Sequence, residues 1–139
     1  MRQLIIDTAK YCAAHYDLPW RLIAAVAILE SGGGRHTSAV NNYTGMKWAP
    51  SMWKEAGEVV KTTEYEDHVP HVERTHFVAY ASMEACLLHL CETLRYSRHY
   101  ALLNIRADSE RTFYLMQFAA SYATDPLYAY KINAIMGEL

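Results

Sequence analysis

The segment Leu22-Ile23-Ala24-Ala25-Val26-Ala27-Ile28-Leu29 constrains this chain more than any other, because it is apolar at eight consecutive positions and runs straight into Glu30-Ser31-Gly32-Gly33-Gly34. A helix that is apolar on every face has no side to give to water, so the rest of the chain must wrap around it. The run is far short of the ~20 residues that span a bilayer, and no transmembrane helix is expected. The glycines terminate the helix. Glu30 is therefore left where the buried helix stops, in line with Ile23 and Ala27. A chain of 139 residues with 52% hydrophobic content can bury one such helix inside a single domain, here residues 1–139.

The flanking segments supply the wrapping. Ile5, Ala9, Cys12, Ala13 and Tyr16 recur at helical spacing and predict an amphipathic helix. Asp17-Leu18-Pro19 breaks it, and Pro19 suits the first turn of the buried helix, which runs to about Ser31. Towards the other end, Ser82 caps a helix carrying Ala85, Leu88, Cys91 and Leu94. Phe113, Met116, Gln117 and Ala120 predict another. In Thr124-Asp125-Pro126, Asp125 is placed to accept from free amides and Pro126 to take the first helical position of a last helix through Leu127, Tyr130, Ile132 and Ile135. Between these groups the chain changes character. Asn41-Asn42-Tyr43-Thr44-Gly45 is turn chemistry, and Pro50 to Glu55 suits one short helix. Glu58 to Glu66 is rich in β-branched residues and tyrosine. Asp67-His68-Val69-Pro70 turns, and Val72 to Tyr80 returns as a second strand, giving a small hairpin or three-stranded lobe. The fold class is α+β, mostly helical.

Several function classes are excluded or disfavoured. Thirteen Lys and Arg against fifteen Asp and Glu leave a net charge of −2, without the basic excess that nucleic acid demands. Cys12, Cys86 and Cys91 are odd in number and form neither a disulfide framework nor a CxxC pair; they read as small core residues. His68, His71 and His76 cluster near the turn without HExxH or a Cys/His quartet, so ordinary loop histidines are expected, with no metal or cofactor. No Gly-x-Ser-x-Gly or Cys/His nucleophile arrangement is present. Met1 to Asp7 lacks the apolar stretch of an export signal, so synthesis in the cytoplasm is expected, and a monomer.

The chemistry concentrates in carboxylates. A carboxyl at the end of a buried helix is poorly solvated, which favours its protonated form, the form a general acid requires. The competing reading is that Glu30 reaches water and balances Arg35. In Thr62-Thr63-Glu64-Tyr65-Glu66, strand alternation turns Glu64 and Glu66 one way and Thr63 and Tyr65 the other. One of that pair can serve as the second carboxylate of a glycosidase, or both can be a solvated strand face. Eleven tyrosines and three tryptophans exceed what a core of this size needs. Tyr43, Trp48, Trp53 and Tyr122 fall near turns, where rings either stack on sugars or pack the core.

Five segments in order carry a family resemblance: Ala27-Ile28-Leu29-Glu30-Ser31-Gly32, Asn41 to Lys47, Thr62 to Glu66, Phe77 to Ser82, and Ser121 to Ala129. Together they resemble the peptidoglycan-cleaving glucosaminidases of glycoside hydrolase family 73, which include the wall-cutting domain of flagellar rod-assembly proteins. The resemblance covers about Thr8 to Leu139. It implies a lysozyme-like fold in which a helical lobe and a β-lobe flank a groove for a glycan strand. It makes Glu30 the general acid, Glu64 the second carboxylate and Tyr122 a cleft residue, with Asn42, Trp48 and Tyr65 as further expected contacts to the glycan. The implied activity cuts the bond after N-acetylglucosamine. A muramidase cutting after N-acetylmuramic acid, and a non-catalytic wall-binding or virion module, are the alternatives. Gly33 stands where relatives often carry tryptophan, a departure that bears on subsite shape. The expected partner is the peptidoglycan strand, in the periplasm or wall, reached by phage lysis, a secretion system or a virion.

Overall fold

The computed structural model describes residues 1–52 and 54–139. Six helices and one hairpin follow in the order α1 (Arg2–Ala14), α2 (Trp20–Glu30), β1 (Glu55–Glu66), β2 (Val69–Ala79), α3 (Met83–Tyr96), α4 (Arg98–Ala101), α5 (Arg111–Tyr122) and α6 (Tyr128–Glu138). The helices surround α2, in which every residue from Leu22 to Ile28 is buried, as a helix without a polar face requires. Ile5, Ala9, Cys12 and Ala13 of α1 pack on one side; Cys86, Leu87, Leu90, Cys91 and Leu94 of α3 and Phe118 of α5 also bury into this core. All three cysteines are free and buried.

Helix ends explain the small departures from expectation. Pro19 is the N-cap of α2 rather than its first helical residue. Ser82 caps α3 as expected, its Oγ accepting from the Ala85 N–H at 3.0 Å. Asp125 does accept a free amide, from Leu127 at 2.9 Å, but Pro126 lies in a turn and α6 begins at Tyr128. Asp125 closes that turn at both ends, since its backbone carbonyl also accepts from the Tyr128 N–H. The described part of Pro50 to Glu55 forms a turn closed by the Met52 N–H on the Ala49 carbonyl, and β1 begins at Glu55, so the described residues there form no short helix. Trp53, part of that expectation and of the expected sugar-stacking set, lies outside the described residues.

The strands pair antiparallel from Glu66↔Val69 to Glu55↔Ala79. Asp67 and His68, at φ 49° and 65°, make a two-residue turn with both residues left-handed, the twist that suits a tight hairpin. The register shifts between Ala56 and Val59, placing a bulge near the hairpin base. Lys47 forms an isolated bridge to Phe77, with Trp48 N–H on the His76 carbonyl and Val78 N–H on the Met46 carbonyl. This short third segment stitches the base to the helical body. The hairpin tip projects beyond it, with Lys61, Thr63, Glu66 to Pro70 and Val72 to Arg74 exposed.

Candidate active site

Between hairpin and helices lies a groove of about 590 Å³, lined from one side by Glu30, Tyr100, Tyr122, Thr124, Asp125, Tyr128 and Lys131, and from the other by Thr62 to Tyr65 with Gly45 to Lys47 at its floor. Glu30 is the last residue of α2. Three devices hold it there. The glycines end the helix at once, Gly32 and Gly33 adopting φ 57° and 73° with the Gly33 N–H on the Ile28 carbonyl. Ser31, fully buried, donates to the Ala27 carbonyl at 2.5 Å and accepts from the Gly34 N–H at 2.8 Å. Gly45, at φ 70°, presses on the carboxyl so closely that a Cβ there would fall 2.6 Å from Glu30 Oε2. Arg35 turns away and donates to the Gly32 carbonyl, so it does not balance Glu30.

Burial pushes the Glu30 carboxyl above the ordinary glutamate value, and the charges of Glu64 and Asp125 add to the rise. The Tyr128 hydroxyl and the Lys47 ammonium oppose it without cancelling it. That hydroxyl is buried without a well-formed hydrogen bond, held beside the carboxyl by its helix. Glu64 lives in a different environment. Burial would raise its carboxyl, but Lys47 Nζ at 2.9 Å from Oε2, Thr124 Oγ1 at 2.8 Å from Oε1 and Thr62 Oγ1 at 3.3 Å from Oε2 outweigh that and hold it below the ordinary value. One groove thus contains one carboxyl pushed above the ordinary glutamate value and one held below it. Glu66 is exposed at the hairpin tip and is not among the lining residues.

The remaining expected site residues separate into those the groove brings together and those it does not. Tyr65 lines it, its backbone N–H on Thr124 Oγ1 at 2.8 Å. Tyr122 lines it too, stacked between Phe118 (5.1 Å between ring centres) and Tyr128 (6.0 Å), its hydroxyl donating to the Thr44 carbonyl at 2.6 Å. It fastens the Gly45 loop behind Glu30. Asn42 does not line the groove. It is 1% exposed, its Nδ2 donates to the Met46 and Val78 carbonyls, and its Oδ1 accepts from Thr44, Gly45 and Met46 N–H groups. Every polar atom of that amide is committed to shaping the loop. Trp48 also lies off the groove: its Nε1 donates to the Lys54 carbonyl and its ring meets His76 edge-on, bracing the hairpin base. Tyr43 packs against the core. Gly33 does not line the groove, and the space beside its Cα is open.

The histidines stay apart in their contacts, His71 on Glu73 and His76 on the Gly57 carbonyl. Among the described residues, no group of three or more His, Cys, Asp or Glu is placed to hold a metal. Sequence reasoning missed Gly45, Lys47, Thr124 and Tyr128 as members of the site. All four stand inside segments that carry the family resemblance, but their reason for being there is a through-space contact with a glutamate 15, 17, 60 or 98 positions away.

A helical body, a hairpin lobe and two differently tuned carboxyls across a groove define a lysozyme-like glycoside hydrolase. The chain belongs to the glucosaminidase family, whose model, described as mannosyl-glycoprotein endo-beta-N-acetylglucosaminidase, matches residues 6–139. It is 31% identical over 137 residues to the peptidoglycan hydrolase FlgJ of Salmonella typhimurium, covering 94% of this chain and 43% of the relative. The FlgJ of Vibrio cholerae is 31% identical over 124 residues, covering 85% and 36%. The chain therefore spans less than half the length of these relatives. Among solved structures, the C-terminally truncated glycoside hydrolase domain of Salmonella typhimurium FlgJ superposes with a TM-score of 0.68 at 27% identity, covering 95% of this chain and 90% of that one. A mutant peptidoglycan hydrolase from Sphingomonas sp. A1 shares the fold at a TM-score of 0.82 and 23% identity, covering 96% and 92%.

Proposed function

We propose that this chain hydrolyses the β-1,4 glycosidic bond after N-acetylglucosamine in bacterial peptidoglycan, as an endo-β-N-acetylglucosaminidase. The observation that carries this reading is the pair of carboxyls in one groove with opposite tuning, Glu30 raised and Glu64 lowered. Glu30, protonated, donates to the glycosidic oxygen as the leaving sugar departs. Glu64, ionised, supplies the second carboxylate that an oxocarbenium-like transition state and the attack on it require. Tyr122 and Tyr128 give the acid a dry wall, and Tyr65 borders the path of the glycan. The relatives named peptidoglycan hydrolases support the polymer, and the family match supports the bond.

The test of the bond is direct. Peptidoglycan is digested, the new reducing ends are reduced with borohydride, and the sugars are identified by mass spectrometry. N-acetylglucosaminitol is the expected product. Muramitol alone would assign the chain to the muramidases, and no new ends at all would make it a binding module.

A further inference from the structure

The two carboxyls ride on parts of the molecule that are fixed in different ways. Glu30 belongs to the helical body, locked by the burial of α2. Glu64 belongs to a hairpin whose strands, among the described residues, pair only with one another beyond the Lys47–Phe77 bridge. Lys47 reaches Glu64, but its own backbone is bridged to β2, so it travels with the hairpin base. Thr124 does not. It stands in the connection between α5 and α6, one residue before the Asp125 turn, which is itself tied by the Asp125 Oδ2–Lys131 Nζ pair at 2.5 Å. Its single hydroxyl donates to Glu64 Oε1 at 2.8 Å and accepts from the Tyr65 backbone N–H at 2.8 Å. A hydroxyl has one hydrogen to give and lone pairs to receive, so both bonds form together. Carboxylate and strand backbone are thereby fixed to the body that carries the acid.

We propose that Thr124 is the positioning residue that sets the distance between Glu64 and Glu30 in the reacting enzyme. The inference rests on the two-carboxylate reading above. Its physical basis is that the separation of the two carboxyls determines what the second can do, with ~5 Å and ~6.5–9.5 Å serving different chemistries. A hairpin free to swing samples many separations. A hydroxyl that grips both Glu64 and the next peptide selects one. The charged groups facing Glu64 are Lys47 from its own side and Glu30, Asp125 and Lys131 from across the groove, and none of them replaces the Tyr65 contact.

The experiment compares Thr124→Val, Thr124→Ser and Glu64→Gln on soluble peptidoglycan fragments. Valine keeps the bulk and removes the hydroxyl; serine keeps the hydroxyl. Hydrogen bonds to charged groups are worth enough that Thr124→Val is expected to lower kcat about tenfold while KM and the melting temperature stay nearly unchanged. Thr124→Ser is expected to recover kcat to within about twofold of the parent. The acid limb of the pH profile should move to higher pH in the valine variant and return in serine, since the lost donor had favoured the ionised Glu64. The alkaline limb should stay in place. An inactive Glu64→Gln beside a fully active Thr124→Val overturns the role of Thr124 and leaves the two-carboxylate reading intact. Equal losses in valine and serine overturn it by making bulk, not the hydroxyl, the cause. A fully active Glu64→Gln removes both readings together.

Discussion

The end of α2 and the tip of the β1–β2 hairpin present the same functional group to the same groove and treat it in opposite ways. At the end of α2, a helix buried from Leu22 to Ile28 brings its carboxyl to a desolvated place flanked by Tyr122, Tyr128 and the Gly45 backbone. The hairpin carries its carboxyl out on two mostly exposed strands and surrounds it with an ammonium and two hydroxyls. Apolar burial makes an acid; polar partners make a carboxylate. The two regions also differ in how firmly they hold. Packing around α2 is shared among many side chains of α1, α6 and α3, whereas the tip is held to the helical body through a few polar contacts. Segments of that second kind open at lower free energy than a core does. On the proposed function, the lobe that must admit a polymer is the loosely held one.

Breaking the first side of the comparison gives the largest effect. Glu30→Gln should lower the clearing of a peptidoglycan suspension by ~10²–10⁴-fold, the usual worth of general acid–base catalysis. The same change should raise the melting temperature at neutral pH. A carboxyl whose pKa is raised by folding stabilises most below its unfolded value and loses that contribution as pH rises through the folded value. Glutamine removes the charged form, so its advantage should appear at about pH 7 and vanish at about pH 4. A variant that keeps half the activity, or melts lower at neutral pH, contradicts the role given to burial.

On the hairpin side, Glu64→Gln should cost about tenfold or more, and Glu66→Gln no more than about twofold. The two residues share a strand face by alternation, but only the first reaches the groove. Equal small losses would mean that the lobe binds glycan without contributing a carboxylate.

How much of this was legible in the sequence follows from the range of each interaction. Glu30 was readable because the signal is local: an apolar run, a carboxylate, then glycines. Glu64 and Tyr122 came from the family resemblance, and the structure places both in the groove. Asn42 turns its amide into its own loop, and an asparagine in a turn looks the same in sequence whether its amide faces a ligand or that loop. Only the return of β2, which brings the Val78 carbonyl within 2.9 Å, separates the two. Trp48 fell to the same ambiguity. Gly45 has a visible reason only once Glu30 is beside it, and Thr124 only once the hairpin folds over the connection between α5 and α6. Such contacts have no periodicity and no local composition by which to be found.

The last prediction turns on Lys47, a cation that acts on both sides of the comparison. Its ammonium lowers the Glu64 carboxyl through a 2.9 Å contact and lowers the Glu30 carboxyl through charge alone. In the proposed mechanism activity requires Glu64 ionised and Glu30 protonated, so kcat/KM on soluble fragments should be bell-shaped, its acid limb set by Glu64 and its alkaline limb by Glu30. Removing the cation in Lys47→Met raises both carboxyls, so both limbs should move to higher pH, the acid limb further because its contact is direct. The loss at the optimum should be only a few-fold, since the carboxyls themselves remain. The side chain of Lys47 is 46% exposed, which lets salt screen its field; the displacement should therefore shrink as ionic strength rises. Thr124→Val, by contrast, should move the acid limb alone. A Lys47→Met profile with an unmoved acid limb would show that the hydroxyls, not the ammonium, keep Glu64 ionised.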